Sequence, residues 1–188
     1  MDYYKMMFDG SKKRDDDIMA RPYVGIKDSY IVFDGVFISD WNDDFAFWYD
    51  PKEGHLATDF LGNVYGWQIF SERALKLFGD IISNDIQLLP TKVINRDTGQ
   101  ETGKYFVVNV LPLLDALDLE NSVYNYHGPK DVAHLSVIKY GIKKEKVAGH
   151  HIFRLRDSKF SLFVSGEFKK VVEENKMLGR DFLKIKSI

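Results

Sequence analysis

A chain of 188 residues with 45% hydrophobic content is long enough to bury a core and short enough for one domain. Its formal net charge of −2 argues against a dedicated nucleic-acid binder, and the lack of any cysteine excludes disulfides, thiolate zinc sites and a cysteine nucleophile. No apolar run has the length of a membrane span or forms a secretory h-region at the N-terminus, so a cytoplasmic protein is expected.

In chain order, Tyr3–Phe8 reads as a first strand, and residues 11–17 (SKKRDDD) as a solvated charged loop where disorder is expected. In residues 30–38 (YIVFDGVFI) the Asp34–Gly35 pair between apolar runs predicts a β-hairpin, because both central positions of a type I′ turn need positive φ. Residues 40–54 (DWNDDFAFWYDPKEG) mix acids with rings and read as a loop holding a short strand over 45–49. Alternation there puts Phe45, Phe47 and Tyr49 on one face and Trp48 on the other. Residues 64–70 (VYGWQIF) read as a strand, and Ser71 as a helix N-cap with Glu72 well placed against the dipole. Ala74, Leu75, Phe78, Ile81 and Ile82 recur at helical spacing, with Gly79 a candidate stop.

Residues 86–94 and 104–111 flank the polar loop 95–103 and predict a strand pair. Further on, 151–155 (HIFRL) and 160–164 (FSLFV) predict strands. Ser165 then caps a helix with Phe168, Val171, Val172 and Leu178 inward, Gly179 ends it, and 182–188 form a last strand. The strand–Ser–helix–strand unit thus occurs twice, at 67–93 and 162–185. It predicts an α+β domain: a mainly antiparallel sheet with helices starting near Ser71 and Ser165 packed on it. Residues 1–58 are expected to form an irregular, strand-containing N-terminal region and 59–188 the α+β domain proper, together one compact unit.

The candidate chemistry is sparse. Residues 98–105 (TGQETGKY) resemble a phosphate-binding loop. However, Gly99 to Gly103 is one residue too short, Tyr105 stands where Ser or Thr should reach magnesium, and a strand follows where a helix is required. The same loop fails as a calcium site because Gly99 falls one position early. His55, His127, His134, His150 and His151 lack metal-ligand spacing, and adjacent His150 and His151 would point to opposite faces of a strand. No G-x-S-x-G elbow exists, and Ser71 and Ser165 are explained as caps.

There remains LLDALDLENS, residues 113–122, with Asp115, Asp118 and Glu120 directly after a strand. In a helical turn Asp115 and Asp118 would share a face, as a metal or acid–base site requires. A structural turn after Pro112, with leucines anchoring it and Asp118 or Asn121 capping the next segment, is the better account, because no base, nucleophile or Gly-rich loop completes a constellation. The alternative function is a small metal-assisted hydrolase using Asp115 and Asp118 with a histidine such as His127.

Over residues 59–185, and in the neighbourhood of 38–41, the chain resembles immunity protein family eleven of bacterial polymorphic toxin systems. The resemblance rests on the order and spacing of Trp67 with Ser71–Glu72, Asp118 with Ser122, Ile152–Phe153–Arg154, Ser165, and Leu178–Gly179 before the last strand. It implies a non-enzymatic cytoplasmic protein that binds and neutralises a cognate toxin, with no family-wide catalytic residues to carry over. The toxin contact is expected on the acidic aromatic segment, where Trp41, Trp48 and Tyr49 stand among Asp40, Asp43, Asp44 and Asp50. Acids there would attract a basic surface, and a ring would anchor it. No cofactor, metal, nucleic acid or membrane is expected as a partner, and homo-oligomerisation stays open.

Overall fold

The computed structural model describes residues 1–9, 15–23, 28–128 and 134–188, the last span without the side chain of His134. Positions 11–14 of the charged loop lie outside these residues. The described strands, in chain order, begin with β1 (Tyr3–Phe8), β2 (Met19–Pro22), β3 (Ala46–Tyr49), β4 (Phe60–Asn63) and β5 (Ile69–Ser71). Helix α1 (Glu72–Phe78) follows, then β6 (Ile86–Asn95), β7 (Tyr105–Val110), β8 (Leu113–Leu114), β9 (Val123–His127) and β10 (His134–Lys139). The chain continues through β11 (Gly141–Ile142), the single turn α2 (Lys144–Val147), β12 (Ile152–Leu155) and β13 (Ser158–Ser165). It ends with α3 (Gly166–Glu174), β14 (Arg180–Lys184) and β15 (Lys186–Ser187).

The class is α+β. Six strands close a barrel in the order β2-β3-β6-β7-β5-β4, and five form an open sheet in the order β14-β1-β13-β12-β8. Period-two alternation explains how one barrel wall serves two cores. Leu61, Ile69 and Val107 point into the barrel, while their neighbours Phe60, Phe70 and Val108 point out of it, toward the open sheet. The sheet answers with Met6, Ile152, Leu162 and Val164, and its other face buries Tyr3, Phe153, Leu155 and Phe163 in a third cluster.

Helices α1 and α3 lie where barrel and sheet meet. Ser71 and Ser165 each accept a hydrogen bond from the backbone N–H three residues on, at 3.0 Å from Ala74 and 3.1 Å from Phe168. Phe78 of α1 stacks on Phe168 of α3 at a centroid distance of 4.2 Å, so the two apolar stripes meet each other as well as the strands. Asp59 ties the junction together. It accepts from Ser71 Oγ at 2.9 Å and pairs with Arg73 at 2.7 Å, while Arg73 also donates to the Asn175 carbonyl beyond α3.

The hairpin expected at Asp34–Gly35 does not form. Ile31–Phe33 instead make a 3₁₀ turn whose Val32 and Phe33 are buried with the barrel core. Gly35 does take φ +67°, but Asp34 stays at φ −91°, so only one of the two positive φ values of a type I′ turn is present. Residues 64–70 likewise divide. Val64 and Tyr65 turn the chain between the antiparallel strands β4 and β5, and only Ile69 and Phe70 are in strand. Among the described residues no helix is long and apolar enough to cross a membrane.

Candidate functional site

The acidic aromatic segment wraps the outside of the barrel at β3. As expected from alternation, Phe45, Phe47 and Tyr49 are buried and Trp48 is half-buried on the outer face. Phe45 and Phe47 pack around Trp67, with ring centroids 5.7 and 6.0 Å from it. The Tyr49 hydroxyl is satisfied inside, 2.9 Å from Thr102 Oγ1 and 3.2 Å from Asn95 Nδ2. Trp41 also turns inward, packing on the barrel core and donating its indole N–H to the Pro90 carbonyl at 2.8 Å. Of the three rings expected at a contact, Tyr49 is buried, while Trp41 and Trp48 are each half-buried.

Trp48 is not bare. Arg21 faces it across the β2–β3 ladder, and the guanidinium carbons of Arg21 and Arg96 lie 5.3 and 5.0 Å from its ring centre. Arg21 pairs with Glu53 at 2.6 Å and Arg96 with Asp50 at 3.6 Å. At the other end of β3, Asp44 pairs with Lys92 at 2.7 Å, which lowers the Asp44 carboxyl and raises the Lys92 ammonium. Asp40 and Asp43 are exposed and form no ion pair among the described residues. The face is therefore an aromatic plate flanked by cations and ringed by acids. Its ion pairs are exposed enough to exchange partners at little cost.

Neither arginine stands out in the sequence. Arg21 precedes a proline and Arg96 opens a polar turn, and only the parallel pairing of β3 with β6 brings residue 96 to residue 48. A composition-based reading sees the acids, which cluster in sequence, and misses the cations, which arrive from elsewhere.

Within 113–122, Leu113–Leu114 form β8 and the residues from Asp118 to Ser122 form a turn. Asp118 Oδ1 accepts from the Glu120 and Asn121 backbone N–H groups at 3.1 and 3.3 Å, and Oδ2 accepts from the Asn121 side chain at 2.9 Å. The Asn121 side-chain amide first, then those backbone N–H groups, holds its carboxyl below the ordinary 3.8. Ser122 Oγ donates to the Asp118 carbonyl at 2.6 Å and accepts from the Gly141 N–H at 2.9 Å, closing the turn onto β11. Asp115 is exposed. His127 sits at the far end of β9, paired in register with His134, while the Asp118 turn joins the other end of that ribbon. Four strand steps separate the ends, roughly 13 Å, so the three residues of the hydrolase reading are not brought together.

His150 and His151 lie just before β12 rather than in a strand, and their side chains take different partners. His150 Nδ1 meets Asp85 Oδ1 at 2.6 Å, Asp85 Oδ2 accepts the His151 backbone N–H at 3.1 Å, and His151 Nδ1 meets Ser165 Oγ at 2.9 Å. Ser, His and Asp thus stand in one chain, but Ser165 is fully buried and its oxygen is occupied by the α3 cap. The chain fixes the helix start and offers no nucleophile to a substrate. Among the described residues no three His, Asp or Glu side chains gather as a metal site.

Among known proteins, a family model described as Immunity protein family (Imm11) matches residues 5–187, reaching well ahead of the 59–185 region on which the sequence resemblance rests. No curated protein matches the chain.

Proposed function

The chain belongs to the Imm11 family of immunity proteins, and from that premise we propose that it neutralises a cognate polymorphic toxin by binding it in the cytoplasm, without catalysis. The family match over nearly the whole chain is the observation that supports this reading. Such a protein needs a surface complementary to its toxin and no reacting groups, cofactor, nucleic acid or membrane.

For the contact, the reading takes the outer face of residues 40–53. Trp48 is the anchor, between Arg21 and Arg96, and Asp40, Asp43, Asp44 and Asp50 form the charged rim. Tyr49 supports the face from inside the barrel wall, and half-buried Trp41 packs on the core at its edge. A flat ring held by two stacked guanidiniums loses little freedom on binding, which is what makes Trp and Arg effective anchors.

The test is co-expression with the toxin encoded beside the gene, followed by binding kinetics. The triple variant Asp43→Lys, Asp44→Lys, Trp48→Ala is expected to fold, to associate more slowly, to dissociate faster and to lose protection. A folded triple variant that protects cells and binds like the natural chain moves the contact elsewhere. A natural chain that does not bind the toxin ends the neutralisation reading itself.

A further inference from the structure

Where the barrel meets the open sheet, the end of β1 and the start of β14 face β2 and β4 across a cleft of about 260 Å³. Met6, Met7 and Met19 line it, three of the chain's five methionines, together with Phe8 and Phe160. Phe160 is 60% exposed and Phe8 46%, so the apolar rim stands open to solvent. Methionines are unbranched and polarizable, and they adapt to whatever apolar group enters.

Two polar groups reach this cleft, whose lining is part polar and part apolar, without adequate partners. Gln68 is only 8% exposed, its Oε1 is buried with no hydrogen bond, and its Nε2 reaches the Gly66 carbonyl only at 3.5 Å. A buried carbonyl oxygen left unpaired is costly in the empty protein, and turning the amide into the cleft to meet a ligand N–H relieves it. Arg180 donates to the Gly179 carbonyl and lies 5.7 Å from the Phe8 ring centre, with no carboxylate paired to it among the described residues. Burial pulls its guanidinium down to about 10, still charged at neutral pH. The cleft therefore lacks one N–H donor, one anion and one apolar group.

The volume falls below the roughly 300–1,000 Å³ of pockets for drug-sized ligands, so it suits a single residue. One residue type carries all three missing features: the last residue of a polypeptide, with its amide N–H, its side chain and its α-carboxylate. We infer that this cleft binds the apolar C-terminal residue of a partner protein, its carboxylate on Arg180, its N–H on Gln68 Oε1 and its side chain among the methionines. The cleft shares no lining residue with the 40–53 face, and its test uses no toxin, so its failure leaves the neutralisation reading untouched.

The experiment labels the methionine methyl groups of the full chain with carbon-13 and follows them by NMR during titration. The probes are N-acetylphenylalanine, its primary amide, and acetyl-phenylalanyl-aspartyl-amide as an internal acidic segment. Met6, Met7 and Met19 should shift saturably with the free acid, with a Kd of roughly 1 mM as expected for a ligand of that size, while Met1 and Met177 stay still. The amide should bind about tenfold more weakly, and Arg180→Gln, shown to be folded by an unchanged unfolding midpoint, should erase that difference. Gln68→Leu should weaken acid and amide alike. The inference is overturned by any of three results: no saturable shift up to roughly 20 mM, equal affinity for acid and amide in the natural chain, or tighter binding of the internal acidic probe.

Discussion

Two acidic stretches of this chain, residues 113–122 and 40–53, hold their carboxylates in opposite ways. In the first, Asp118 is buried and spends both oxygens on groups within three residues of itself, so the acid and its partners are one local unit. In the second, Asp44, Asp50 and Glu53 stay on the surface and pair with Lys92, Arg96 and Arg21, brought from other strands. A carboxylate saturated by its own turn stabilises that turn and is closed to a partner. One held by an exposed, exchangeable cation leaves the surface available. The same side chain therefore builds the fold in one place and decorates an outer face in the other.

The comparison is most sharply tested at Gly141, against which the Asp118 turn closes. A Cβ there would stand 2.6 Å from the Asn121 carbonyl oxygen, a backbone contact that no rotamer relieves. Gly141→Ala is expected to cost about 3 kcal/mol, read as a lower urea midpoint at unchanged slope. A loss below about 1 kcal/mol would mean that the turn yields and is not a rigid unit. Next in size, Trp48→Ala should weaken toxin binding by about 2 kcal/mol, roughly thirtyfold in Kd, measured by calorimetry, while the folding midpoint barely moves. If stability falls and affinity does not, the outer face resembles the turn after all.

The smallest effect is a pH dependence. Asp118 is held below its ordinary 3.8 when folded, so its contribution is fully present above that value and is lost as pH falls through the folded pKa. Asp118→Asn should therefore be less stable than the natural chain at neutral pH. The gap should narrow below pH 3.8, followed by denaturation midpoints across that range. A gap that stays constant on acidification would show that the side chain matters through shape rather than charge.

What was legible in the sequence was local. Ser71 and Ser165 each announce a helix because the cap and the apolar stripe lie within a few residues, and the 45–49 alternation sorts Phe47 from Trp48 without knowledge of the fold. Asp34–Gly35 misleads because the apolar residues before it, Val32 and Phe33, are needed in the barrel core and take a 3₁₀ turn to reach it. The barrel closes through the parallel pairings of β2 with β4 and β3 with β6, which no periodicity encodes. For the same reason the arginines beside Trp48, and the meeting of Gln68 with Arg180 at one cleft, lie beyond a reading that moves along the chain.

β1 lies between β13 and β14, paired antiparallel to both. During synthesis β1 must therefore wait, without sheet partners, until β13 and then β14 are made. At common elongation rates that interval is roughly ten to thirty seconds. Throughout it Tyr3 and Met6, which are buried in the finished sheet, have no sheet neighbours to cover them. Newly made chains thus join the folded pool with a lag set by translation, and a ribosome that stalls between β13 and β14 releases a polypeptide whose β1 has only one of its two neighbours.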